Sequence, residues 1–141
     1  MLLPLPTAKV RSLSLENHLA LSTVCAGRGD LDRICCPIQV IYLAYFLRSE
    51  TAAGEDIDLY RHAEAELDSC IKRLEHDQPC LLLDQDQTVI ERALVLYDEQ
   101  LATVPMFRYL EAWERIQRFV ASGKHSPMPK QQRGSDGKRK R

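Results

Sequence analysis

The run from Ile34 to Leu47, Ile-Cys-Cys-Pro-Ile-Gln-Val-Ile-Tyr-Leu-Ala-Tyr-Phe-Leu, contains one strongly polar side chain, Gln39. As a helix it is about 21 Å long at about 1.5 Å per residue, and a bilayer needs about 20 apolar residues, so the run is too short to span one. A helix apolar on nearly every side cannot lie on a surface. Amphipathic partners must therefore cover it, which predicts an all-α fold: a compact bundle of about five helices around a buried central helix. Pro37 lies inside the run and should either open that helix in its first turn or kink it.

The chain has 141 residues, of which 45% are apolar, enough for one ordinary core. Its charges are divided unevenly. Residues 1–123 carry 12 basic and 19 acidic groups, net −7, whereas residues 124–141 carry seven basic groups and one acidic group, net +6. This predicts a flexible arm over 1–11, a helical bundle over 12–123 and a disordered basic tail over 124–141, the last because it has almost nothing to bury. Five cysteines, an odd count, and no signal-like opening favour a reduced, cytoplasmic setting. Cys35 and Cys36 read as small core hydrophobes.

Along the chain, Ser12 or Ser14 should cap a first helix reaching Cys25 or Ala26, with Leu15 and Leu19 on its inner face, Ala20 and Val24 spaced to join them, and Gly27 as its stop. Asp30 stands where the cap of the central helix is expected. That role explains the Arg28-Gly29-Asp30 tripeptide better than adhesion recognition does. Glu55, Asp56 and Asp58 crowd the next helix start. A helix of about 20 residues follows, with Ile57, Tyr60, Leu67, Ile71 and Leu74 in three-four spacing, interrupted at Glu64. Its other face, including Arg61, Glu66 and Asp68, reads as solvated. Asp84 or Asp86 should cap a helix carrying Val89, Ile90, Ala93, Leu94, Leu96, Tyr97 and Leu101. Pro105 opens the last helix, with a stripe of Met106, Tyr109, Leu110, Trp113, Ile116 and Val120, and Gly123 stops it.

Few residues offer chemistry. Leu81-Leu82-Leu83-Asp84-Gln85-Asp86-Gln87-Thr88-Val89 is similar to the first signature of the haloacid-dehalogenase superfamily, in which the first Asp is the nucleophile, the second the acid/base, and Mg²⁺ neutralises the phosphate. Gln87 replaces the usual glycine and helical sequence follows, so helix capping is the preferred reading of both aspartates. Asp84, Asp86 and Thr88 also match the first positions of a calcium loop. That pattern fails at Val89, where glycine is needed, and at Val95, where a bidentate Glu is needed. Cys70, His76 and Cys80 follow no compact zinc spacing, and a cysteine working with His62 or His76 has no local signature. No metal, cofactor or catalytic residue is therefore expected. The basic end offers more: Lys124, Lys130, Arg133, Lys138, Arg139, Lys140 and Arg141 form a polycation able to bind phosphate backbones without reading bases.

Five phrases, His18-Leu19-Ala20-Leu21, Gly27-Arg28-Gly29-Asp30, Tyr42-Leu43-Ala44-Tyr45-Phe46-Leu47, Ala63-Glu64-Ala65 and Asp98-Glu99-Gln100-Leu101-Ala102-Thr103, together resemble a group of short all-helical proteins. These belong to proteobacterial plasmids and integrated elements and are commonly labelled Fis-family transcriptional regulators. The resemblance implies a regulatory, DNA-binding protein of a mobile genetic element. Combined with the charge division, it gives the expectation of a non-enzymatic regulatory or adaptor protein whose body binds a protein and whose tail contacts nucleic acid non-specifically. Two alternatives accompany it: a pure protein-interaction module (homodimer or inhibitor), and a Mg²⁺-dependent phosphotransfer enzyme using Asp84 and Asp86.

Overall fold

A computed structural model describes residues 3–27, 31–51, 56–80 and 82–129. Among them the chain forms five helices and no strand: α1 (Thr7–Cys25), α2 (Leu31–Phe46), α3 (Ile57–Glu75), α4 (Asp84–Thr103) and α5 (Met106–Ser122), with a 3₁₀ turn at Arg48–Glu50. The expected bundle is the observed fold, and α2 packs against all four other helices. Ile34, Pro37, Ile41, Leu43 and Ala44 are fully or almost fully buried, so the apolar run does form the centre. Pro37 lies inside α2 and does not open it. Tyr45 meets Tyr60 of α3 edge to face, and Tyr42 meets Phe119 of α5 in the same way.

Helix ends follow local chemistry in most places. Gly27 and Gly123 take left-handed φ values of 79° and 73° and close α1 and α5, as their sequence positions suggested. Asp56 caps α3, its carboxylate accepting from the Leu59 amide at 3.3 Å. At the other end of α3, Asp77 adopts φ 58°, and the Gln78 amide donates to Arg73 O at 2.8 Å. An aspartate thus takes the left-handed place that glycine usually fills.

Several expectations are corrected. Helix α1 starts at Thr7, with Pro6 at its cap, rather than at Ser12 or Ser14. The segment before it is strapped down: the Met106 amide donates to Leu3 O at 2.7 Å, Pro4 bridges Pro105, and Leu5 is buried. The proposed arm over 1–11 is therefore part of the body from Leu3 onward. Helix α1 buries Val24 as expected, but the rest of its inner face differs. Asn17, Leu21 and Val24 point inward, while Leu15 and Leu19 are 62% and 56% exposed. A polar residue interrupts the true inward line, so the apolar spacing selected the wrong face. Asn17 is accommodated because its side-chain oxygen accepts from Cys36 Sγ at 3.4 Å. Helix α5 buries Tyr109 and Ile116 and packs Met106 and Trp113 against the core as expected, adds Ala112, and leaves Leu110 and Val120 exposed. Leu83, not Asp84 or Asp86, occupies the cap of α4, and Pro105 sits at the cap of α5 rather than inside it. Asp30 lies outside the described residues.

The cysteines differ most from expectation. Cys70 and Cys80, both buried, are joined as a disulfide that ties the end of α3 to the connector before α4, in place of the fully reduced set. Cys35 is exposed and Cys36 only half buried, so neither is a full core residue. Besides Asn17, two further polar side chains reach inward with partners. Tyr42 Oη donates to Glu64 at 2.7 Å, which accounts for the carboxylate interrupting the α3 stripe. Gln100 Nε2 donates to Ala44 O and Leu47 O, both at 3.2 Å, at the end of α2.

Candidate functional site

Of the seven basic residues assigned to nucleic-acid contact, Lys124 is described and exposed. Lys130, Arg133, Lys138, Arg139, Lys140 and Arg141 lie outside the described residues. The stretch leading to them is fixed in place. Met128 is buried, Arg61 of α3 donates to Pro129 O at 3.0 Å, and His125 Nε2 lies 3.4 Å from Asp68. Residues 124–129 thus pack on the body, contrary to the expected boundary at 124. The cause is one apolar side chain, Met128, at the edge of a groove of about 470 Å³ that also includes Arg61, Glu64 and Lys124. Residues 124–129 thus lie beside two carboxylates of α3, Glu64 and Asp68.

The two aspartates of the phosphatase-like phrase lie in the first turn of α4. Their carboxylates suit the positive end of that helix. Thr88 Oγ1 donates to Asp84 O at 2.9 Å, and Gln87 Nε2 donates to Leu82 O at 3.2 Å, so the phrase is used for local helix geometry. The parallel sheet on which the dehalogenase loop is carried is not found among the described residues.

Asp86 has a second neighbour. His62 and Glu66 are one helical turn apart on α3, and Asp86 approaches them from α4. His62 Nε2 lies 3.6 Å from Asp86 Oδ1, and one ligand atom from each of the three residues falls within 4.8 Å of the others. This is the one set among the described residues that brings together three possible metal ligands. The zinc set considered from sequence does not form, because Cys70 and Cys80 are bonded to each other. The sequence pattern assigns Asp86 to the start of a helix and Glu66 to a solvated face. The signal this passes over is His-x-x-x-Glu at i,i+4.

Beside this set runs a groove of about 410 Å³ between α3 and α4, bounded by Asp56, Leu59, Glu91, Val95, Leu96 and Glu99, with Arg92. Its floor is apolar and its rim mostly acidic. On the opposite side, His18 Nε2 and Asp98 Oδ2 are 2.8 Å apart, linking α1 to α4. Burial, then the neighbouring Glu16 and Cys35, push the Cys36 thiol up from its ordinary value. Burial is likewise the main reason the Tyr97 and Tyr42 hydroxyls are raised, with the Glu64 hydrogen bond adding to the shift of Tyr42. These groups stay neutral and structural near pH 7.

The fold and these surfaces define a small helical-bundle protein with an acidic body and a basic end. Comparison with known protein families, curated proteins and solved structures finds no match. No helix among the described residues is long and apolar enough to cross a membrane.

Proposed function

We propose that this chain is a small non-enzymatic adaptor or regulatory protein, its helical body binding a protein partner and its basic end contacting nucleic acid without sequence preference. The observation that carries the reading is the division of charge about a fixed exit point. Residues 1–129 hold 13 basic and 19 acidic groups, net −6, and residues 130–141 hold six basic groups and one acidic group, net +5. Phosphate affinity resides in the second part, by counterion release. The acidic body repels the same polyanion and is left for a different ligand. The acid-rimmed groove between α3 and α4 suits a protein segment carrying apolar and basic side chains. The phrases resembling regulators of mobile elements agree with a DNA-associated role.

Binding to mixed-sequence duplex DNA across a salt series, for the full chain and for a chain ending at Pro129, tests this. Ending at Pro129 keeps the Met128 anchor, so the body is not disturbed. Six neutralised phosphates predict a slope of about −5 in log K against log salt, close to a thousandfold loss from 50 to 200 mM salt, and the shortened chain should lose both affinity and slope. Equal binding by the two chains would refute the role of the basic end. No binding by either would favour the pure protein-interaction module.

A further inference from the structure

We propose that His62, Glu66 and Asp86 form a binding site for a first-row divalent metal ion, with zinc as the representative ion, joining α3 to the first turn of α4. Three features of the geometry lead there. The His62 Nε2 to Asp86 Oδ1 separation of 3.6 Å is longer than a good hydrogen bond. It is close to the spacing of two ligand atoms on one ion: metal–ligand bonds of about 2.0–2.2 Å at a tetrahedral angle leave roughly 3.4 Å between donors. Second, the Asp86 side chain is only 13% exposed, and among the described residues the half-exposed imidazole of His62 is the one basic side chain within ion-pair range, with no Lys or Arg beside it. Glu66 has no ion pair among the described residues, and it adds a second carboxylate to the set. Holding two carboxylates together with one side chain largely out of water is costly without a cation. An ion of charge +2 neutralises both.

Third, the donors are one imidazole nitrogen and two carboxylate oxygens with no thiolate. That set suits zinc, cobalt, manganese or ferrous iron, whereas magnesium favours all-oxygen sites that retain several waters. The i,i+4 pair on α3 supplies two ligands from one rigid helix, and Asp86 closes the site from a second helix. Three protein ligands leave at least one coordination position open to solvent. The site uses no residue of the basic end, so this inference does not depend on how that end is used.

The test is titration of the full chain, freed of metal, with Zn²⁺ by calorimetry and with Co²⁺ by absorbance at neutral pH. The wild-type chain should bind one equivalent and melt at a higher temperature in the presence of zinc. His62→Ala, Glu66→Gln and Asp86→Asn should each weaken binding about tenfold or more, while His18→Gln, which alters the other His–Asp pair, should leave it unchanged. Glu66→Gln and Asp86→Asn preserve shape, so circular dichroism can verify that those variants remain folded. Absence of saturable binding by the wild-type chain would overturn the proposal. So would equal affinity in all three variants, or an intense near-ultraviolet cobalt band marking a cysteine thiolate as ligand.

Discussion

Gln100 provides a direct test of how this bundle is held together. It is fully buried, and its amide donates to Ala44 O and Leu47 O at 3.2 Å each, where α2 runs out of its own N–H groups. Leu47 O also accepts from the Glu50 amide at 2.9 Å, so Ala44 O depends more on Gln100. Gln100→Met keeps an unbranched side chain of similar length and removes both donors. Two net hydrogen bonds at about 1 kcal/mol each, plus an exposed-to-nothing carbonyl at about 1 kcal/mol or more, total roughly 3 kcal/mol. Removing Gln100 Oε1, which is buried without a partner, returns part of that, leaving an expected loss of about 2 kcal/mol. Urea unfolding followed by far-UV circular dichroism would read this as a lower midpoint at unchanged slope. Gln100→Glu adds a sign test: its carboxyl can donate when protonated but faces two carbonyl oxygens when ionised. Burial raises its pKa in the folded state, so the loss relative to wild type should grow as pH rises above the ordinary carboxyl value of about 4.3 and level off once pH passes the raised folded-state value. A change below about 0.5 kcal/mol in Gln100→Met would refute the view that this amide closes the end of α2.

The Cys70–Cys80 bond closes a loop with a sequence separation of 10, for which chain entropy suggests about 2.7 kcal/mol. Cys70→Ser with Cys80→Ser should lower Tm by roughly 10 °C, and thiol titration of the unfolded, unreduced protein should find three thiols, five being the result that contradicts the bond. Under native conditions exposed Cys35 should alkylate ahead of Cys36, whose thiol is half buried and raised by burial; peptide mapping after brief alkylation would detect the reverse order. Met128→Asp should release residues 124–129, seen as faster tryptic cleavage at Lys124 with little change in the melting of the body, and unchanged cleavage would mean that Met128 is not the anchor.

Much of the architecture was legible from local pattern. The apolar run at Ile34–Leu47, the stop glycines at 27 and 123, the acidic start of α3 and the α4 stripe each depend on residues within a few positions of one another. Errors arose where a distant residue changed the meaning of a local signal. Asn17 turns inward because Cys36 supplies a donor, and this rotates α1 so that Leu15 and Leu19 face outward. Glu64 sits in an apolar line because Tyr42 reaches it from α2.

By itself the sequence determined the all-helical class, the burial of α2 and the division between an acidic body and a basic end, since periodicity, run length and charge count are properties of neighbours along the chain. Tertiary structure alone decided that Cys70 meets Cys80, that Met128 folds back against the body, and that Asp86 joins His62 and Glu66 across two helices. Those associations depend on how helices pack at angles and depths that no single segment encodes.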